Sequence, residues 1–130
     1  MLTDNISKLQ TIGLSAYESI KELIDARNIE HESQEDADAA YEAILEDALS
    51  VEVREDWHPV GQAPHEASKE YRILLSTGGP ATQIVGELNK HNEPTSATLQ
   101  AQDWFLPWTN VIGCDEAILL EYAQCFYFGE

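Results

Sequence analysis

Basic residues are scarce in this chain. Seven Lys and Arg stand against 24 Asp and Glu in 130 residues, a formal charge of −17. Nucleic acid and anionic membranes are both held through basic patches, so neither is expected as a direct ligand. Cysteine is scarcer still: Cys114 and Cys125 are too few for a disulfide scaffold and lack metal-site spacing. No apolar run reaches the roughly 18 residues that a transmembrane helix needs, and the residues after Met1 lack a basic-then-apolar leader pattern. The expected setting is a reducing cytoplasm.

Catalytic vocabulary is missing as well. His31, His58, His65 and His91 stand in predicted loops or charge runs, without H-E-x-x-H or other ligand spacing. Gly78-Gly79-Pro80 is read as a turn rather than a phosphate loop. No Lys-Ser/Thr follows it, and Pro80 removes a backbone donor that a phosphate would use. Asp103, between Gln102 and Trp104, reads as a turn or cap rather than a general base, and Cys125 as a packed thiol. No acid, base and anion hole can be assembled from predicted neighbours. The expectation is a non-enzyme with no metal and no cofactor.

The apolar share is 43%, close to that of ordinary globular chains, so one domain over residues 1–130 with a real core is expected. Charge divides it unevenly. Residues 1–57 hold 15 acids and 4 bases, net −11, whereas residues 58–130 hold 9 and 3, net −6. The reading is an acidic helical part over 1–56 and a sheet with a closing helix over 57–130.

Leu2, Ile6 and Leu9 are spaced for a short opening helix that Gly13 interrupts. Ser15 with Glu18 makes a capping-box pattern before a second helix, with Tyr17, Ile20, Ile24 and Arg27 on one face and a stop near Asn28. Ser33 with Asp36 repeats that logic before a third helix, ending between Leu49 and Val53. Pro59, Gly61 and Pro64 mark a loop from Trp57 to Ser68. Strands are expected over 70–76, 82–88 and 96–104, with Gly86 marking a bulge or close packing and Ala97, Leu99 and Ala101 facing inward. A last helix starts near Asp115, carries Leu119, Tyr122, Ala123 and Phe126 on one stripe, and ends at Phe128-Gly129. The expected fold class is α+β: N-terminal helices, a three-stranded antiparallel meander, and a C-terminal helix packed on the sheet.

The most unusual stretch is EHESQEDADAAYEAILE, from Glu30 to Glu46, which carries no Lys or Arg. On a helix, Glu35, Asp38, Glu42 and Glu46 fall at i, i+3, i+7 and i+11, one stripe opposite Ala37, Tyr41, Ile44 and Ala48. Glu18, Glu22 and Asp25 make an earlier stripe, diluted by Lys21. Like charges three or four residues apart cost roughly 0.2–0.5 kcal/mol per pair, so such stripes persist against their own repulsion. The structural reading is a well-solvated helix face. The functional reading is a surface that meets Lys and Arg on a partner, through Glu18, Glu22, Asp25, Glu30, Glu32, Glu35, Asp36, Asp38, Glu42 and Glu46. Trp104, Phe105 and Trp108 form a second candidate, since exposed Trp anchors interfaces; with Trp57 they serve equally well as packing between sheet and helices.

Three phrases of the second half, EYRILLSTGGPATQIVGELN, EPTSATLQAQDWFLPW and LLEYAQCFYFGE, resemble a family of small uncharacterised proteins. These are carried by phages, prophages and plasmids of Gram-negative bacteria, often beside antirestriction functions. The resemblance covers roughly residues 51–130 and rests on Gly78-Gly79-Pro80 and on Gln102-Asp103-Trp104 followed by Trp108. It implies a mobile-element protein and transfers no catalytic residue. The resulting expectation is an anti-CRISPR or antirestriction inhibitor in the bacterial cytoplasm, whose acidic helices block the nucleic-acid-handling surface of a defence complex. The alternative is a protein-binding adaptor that uses the Trp-rich surface, with acidity serving only solubility.

Overall fold

The computed structural model describes residues 2–55, 60, 69–103 and 106–128, with the side chains of residues 2–5 and 55 left aside. Within it the chain runs α1 (Leu2–Asn28), α2 (Gln34–Asp47), β1 (Ser50–Glu55), β2 (Lys69–Ser76), β3 (Ala81–Leu88), β4 (Thr98–Asp103), β5 (Leu106–Asn110) and α3 (Glu116–Ala123). The class is α+β. The five strands form one antiparallel meander in the order β1-β2-β3-β4-β5.

Several expected boundaries need correction, the largest of them for long-range reasons. Gly13 does not break the first helix, and Ser15 is an interior residue rather than a cap, because α1 is continuous from Leu2 to Asn28. A Cβ at Gly13 would strike the side chain of Val111. The missing side chain is therefore what lets α1 lie close over the segment after β5, and it outweighs the roughly 1 kcal/mol by which Gly weakens a helix interior. The meander has five strands rather than three. Residues 50–53, read as a helix end, belong to β1, and α2 stops at Asp47. Leu106–Asn110, read only as an aromatic segment, is the other edge strand β5, a position that tolerates Pro107. The last helix ends at Ala123 rather than at Phe128, and the third expected strand begins at Thr98 rather than Ser96. The Trp57–Ser68 loop lies outside the described residues except for Val60, as do Trp57, Trp104 and Phe105.

The local signals that did mark boundaries act as their chemistry predicts. Asn28 closes α1. Ser33 caps α2, its hydroxyl accepting from the Asp36 N–H at 3.2 Å. Asp115 caps α3 by accepting from the Ala117 N–H at 3.0 Å. Gly78 and Gly79 hold φ of 97° and 118° in the β2–β3 turn, a region open to Gly at little cost.

The core lies between one sheet face and the helices. Tyr71, Ile73, Ile84, Leu88, Leu99 and Ala101 face Leu9, Tyr17, Ile20 and Ile24 of α1 and Leu119, Tyr122 and Ala123 of α3, with Ile44 of α2 joining them. Polar ties fix the layers. The Gln10 amide donates to the Asn110 carbonyl at 2.9 Å and accepts from the Ile112 N–H at 2.7 Å, tying α1 to the end of β5. Tyr122 donates to Asp47 at 2.7 Å, and Tyr41 donates to the Cys125 carbonyl at 2.8 Å, tying α2 to the C-terminal segment. Arg27 and Asn28 both reach Glu121 of α3, at 3.5 and 3.0 Å.

Two of these core residues carry a pH signature. Burial pushes the phenols of Tyr71 and Tyr122 well above their ordinary 10.0; the Glu116 charge adds to this for Tyr71, and the Asp47 hydrogen bond and charge for Tyr122. In the unfolded chain both ionise near 10. Their contribution is thus fully present below that pH and lost above it, at about 1.4 kcal/mol per pH unit per tyrosine. Denaturant titrations from pH 8 to 11 are expected to show stability falling most steeply above pH 10. Tyr122→Phe should remove one tyrosine's share of that slope, at a cost of about 1–2 kcal/mol for the lost hydrogen bond.

Candidate interaction surface

Only residues 29–33 separate α1 from α2, a connection so short that the two form an antiparallel hairpin, and they pack on each other. The C-terminal half of α1 therefore runs beside the N-terminal half of α2. Leu9, Tyr17, Ile20 and Ile24 face the core from α1, and Ile44 does so from α2. The residues opposite those positions on each helix are the acidic ones. Glu18, Glu22, Asp25, Glu30, Glu32, Glu35, Asp36, Asp38, Glu42 and Glu46 are all exposed. From the rise of about 1.5 Å per residue, the stripe of α1 is about 10 Å long and that of α2 about 16 Å. Neighbouring helix axes lie roughly 8–10 Å apart.

Where the cations go decides the field of this surface. Lys8 pairs with Asp103, Arg27 with Glu121, Arg54 with Glu70 and Arg72 with Glu52. Every one of those acids belongs to the sheet or to α3. None of the ten helix-hairpin carboxylates is in an ion pair. Lys21, exposed on α1, is in none either. The few bases neutralise the scaffold and leave the hairpin bare. Asp38 has one polar partner, accepting from Gln34 at 2.9 Å. The first turn of α2 carries Glu35 and Asp36, where the helix dipole favours them, but its last turn has no basic residue, so nothing there complements the negative helix end.

The aromatic candidate is only partly visible. Trp108 is half-buried on the edge strand β5, whereas Trp104 and Phe105 lie outside the described residues. Asp103, at the end of β4, pairs with Lys8 at 3.3 Å. Cys125 is buried and Cys114 half-buried. Burial pushes both thiols up; for Cys125 the Arg27 charge pulls down and the Glu121 charge pushes up. Both stay protonated near neutral pH, which disfavours them as nucleophiles.

The open face of the sheet was not singled out from sequence. A shallow cleft of about 630 Å³ lies there, bordered by Glu52, Arg54, Glu70, Arg72, Glu87 and Thr98. Beneath it runs a cross-strand amide row: Gln83 donates to Gln100 at 2.8 Å, and Gln100 donates to Asn110 at 2.9 Å. Gln83 is 4% exposed, and its carbonyl oxygen has no hydrogen-bond partner. The only sequence signal was charge alternation, Glu52/Arg54 in one segment and Glu70/Arg72 in another, and it becomes informative only once the strands are paired.

No family model, curated protein or solved structure matches the chain. Among the described residues no helix is long and apolar enough to cross a membrane, and no cluster of three or more His, Cys, Asp or Glu could hold a metal ion.

Proposed function

We propose that this chain is a non-enzymatic inhibitor whose acidic helical hairpin occupies the basic, nucleic-acid-handling surface of a bacterial defence complex. The observation that carries the reading is the bare hairpin: ten exposed carboxylates, none in an ion pair, while Lys8, Arg27, Arg54 and Arg72 pair with acids of the sheet and α3. Carboxylates recur about every 6 Å along each helix, from the rise per turn. A duplex presents one charge per roughly 1.7 Å of axis. One stripe is too sparse to imitate it, but two on neighbouring helices come closer. Lys and Arg side chains that normally hold phosphates would meet these carboxylates instead, and DNA loading would be blocked by charge and bulk. The choice of a defence complex, CRISPR or restriction, rests on the resemblance of residues 51–130 to mobile-element proteins.

The test is capture on the tagged chain from a bacterial lysate containing CRISPR and restriction complexes, eluted in steps of salt. Exposed charge pairs are screened beyond about 8 Å at physiological ionic strength. The expected result is release of a nucleic-acid-handling complex at moderate salt. The same complex should lose DNA binding when the chain is added. A partner that stays bound through high salt, or one whose DNA binding is untouched, would overturn the reading.

A further inference from the structure

We propose that β1 is the seam of a two-fold symmetric dimer, in which two copies pair antiparallel through this edge and join their sheets. Among the described residues β1 lies at the end of the meander and pairs only with β2. Its apolar side chains are uncovered: Val51 is 37% and Val53 51% exposed, and Leu49 before them is 57% exposed. An exposed edge strand of this kind offers unpaired backbone groups to another strand.

The pattern of charges on β1 selects the occupant. On the open face of the sheet Glu52 sits opposite Arg72, with a hydrogen bond of 2.7 Å, and Arg54 sits opposite Glu70. A two-fold axis through an antiparallel pair of identical strands must pass through one residue, which then faces itself. Centred on Glu52 it sets carboxylate against carboxylate, and centred on Arg54 it sets guanidinium against guanidinium. Centred on Val51 it leaves Arg54 opposite Ala48, outside the strand. Centred on Val53 it sets each Glu52 opposite an Arg54 and buries Val53 against its own copy. The row across the seam then reads Arg72, Glu52, then Arg54 and Glu70 of the second copy, alternating in sign over four strands. Opposite charges facing across strands stabilise, and like charges destabilise. No existing ion pair has to break.

The seam is short, well below the roughly 1,600 Å² of a standard interface, and each copy carries −17. The association is therefore weak and reversible. Sedimentation of the full chain, from micromolar to millimolar concentration, is expected to show monomer passing to dimer. Arg54→Glu alone and Glu52→Arg alone each set like charges across the seam and should weaken self-association about tenfold. An equimolar mixture of the two variants restores opposite charges across the seam and should recover association to within about threefold of wild type.

An independent readout covers the case in which either charge variant is poorly folded. The register brings the two copies of position 53 directly opposite, about 4.5–5.5 Å between Cα atoms, inside the range for a disulfide. The two copies of position 51 stand about 13 Å apart. Mild oxidation should cross-link Val53→Cys into a dimer and leave Val51→Cys at the wild-type background. A wild-type chain that stays monomeric at millimolar concentration, a mixture that associates no better than its components, or equal cross-linking at 51 and 53 would overturn the proposal.

Discussion

Neutralising Glu35, Asp38, Glu42 and Glu46 together, as Gln or Asn, is expected to leave the domain folded and to remove its hold on a basic surface. All four are exposed and none is in an ion pair, so no buried group is left without a partner. Three like-charge contacts disappear, at i,i+3 and i,i+4, each worth roughly 0.2–0.5 kcal/mol. Against this, Glu35 gives up a favourable place in the first turn of α2, worth about 0.3–1 kcal/mol. Net stability should therefore move by less than about 1 kcal/mol, a Tm shift of a few degrees for a domain of this size. Four fewer negative charges take the chain from −17 to −13. Affinity for a basic partner should fall at least about tenfold, chiefly in association rate at low salt. Circular dichroism and a binding titration at two salt concentrations read both halves of this expectation. A folded quadruple variant that binds like wild type would remove the stripe as the contact.

Gly86→Ala is expected to be the most damaging single-methyl change in the chain. Gly86 stands opposite Tyr71 in the β2–β3 ladder. A Cβ there would run into the Ser96 carbonyl and come within 2.7 Å of the Tyr71 ring. That carbonyl already accepts the Tyr71 hydroxyl at 2.6 Å, so neither neighbour can yield without breaking the other contact. Tyr71 also packs against Phe128 with its ring tilted, 5.0 Å between centroids, which extends the damage to the C-terminal segment. Overpacking at such a site costs about 3 kcal/mol or more. Gly78→Ala provides the contrast. It has φ of +97° but open space around it, and the left-handed backbone alone costs about 1–2 kcal/mol. Denaturant midpoints of the two variants should differ clearly. Equal midpoints would mean that the close approach at Gly86 is not what the position requires.

How far each feature was readable from the chain follows from the range of the physics behind it. The N-terminal ends of α2 and α3 were legible at Ser33 and Asp115 because capping joins a side chain to a backbone N–H two or three residues away. The turn at Gly78-Gly79 is likewise a property of a few successive residues. The inward positions Leu99, Ala101, Leu119 and Tyr122 followed from periodicity, which needs only the repeat of a strand or a helix. The acidic stripes belong with these, since a helix and its spacing place Glu35 to Glu46 on one line. The chain by itself thus determined where α2 and α3 begin, its three central strands and a large unbalanced negative charge.

Tertiary structure decided the rest. Gly13 stays helical because Val111, almost a hundred residues away, packs where its side chain would be. SVEVRE is a strand because β2 lies beside it; its exposed valines bury too little to reveal it in isolation. LPWTN is a strand because an edge of the sheet accommodates Pro107. The same holds for charge. Sequence counts acids and bases, but only the fold brings Arg54 and Arg72 to the sheet acids, and Lys8 and Arg27 to Asp103 and Glu121. Pairing of that kind is set by which strands and helices become neighbours, and it is what leaves the carboxylates of the hairpin facing water without a cation.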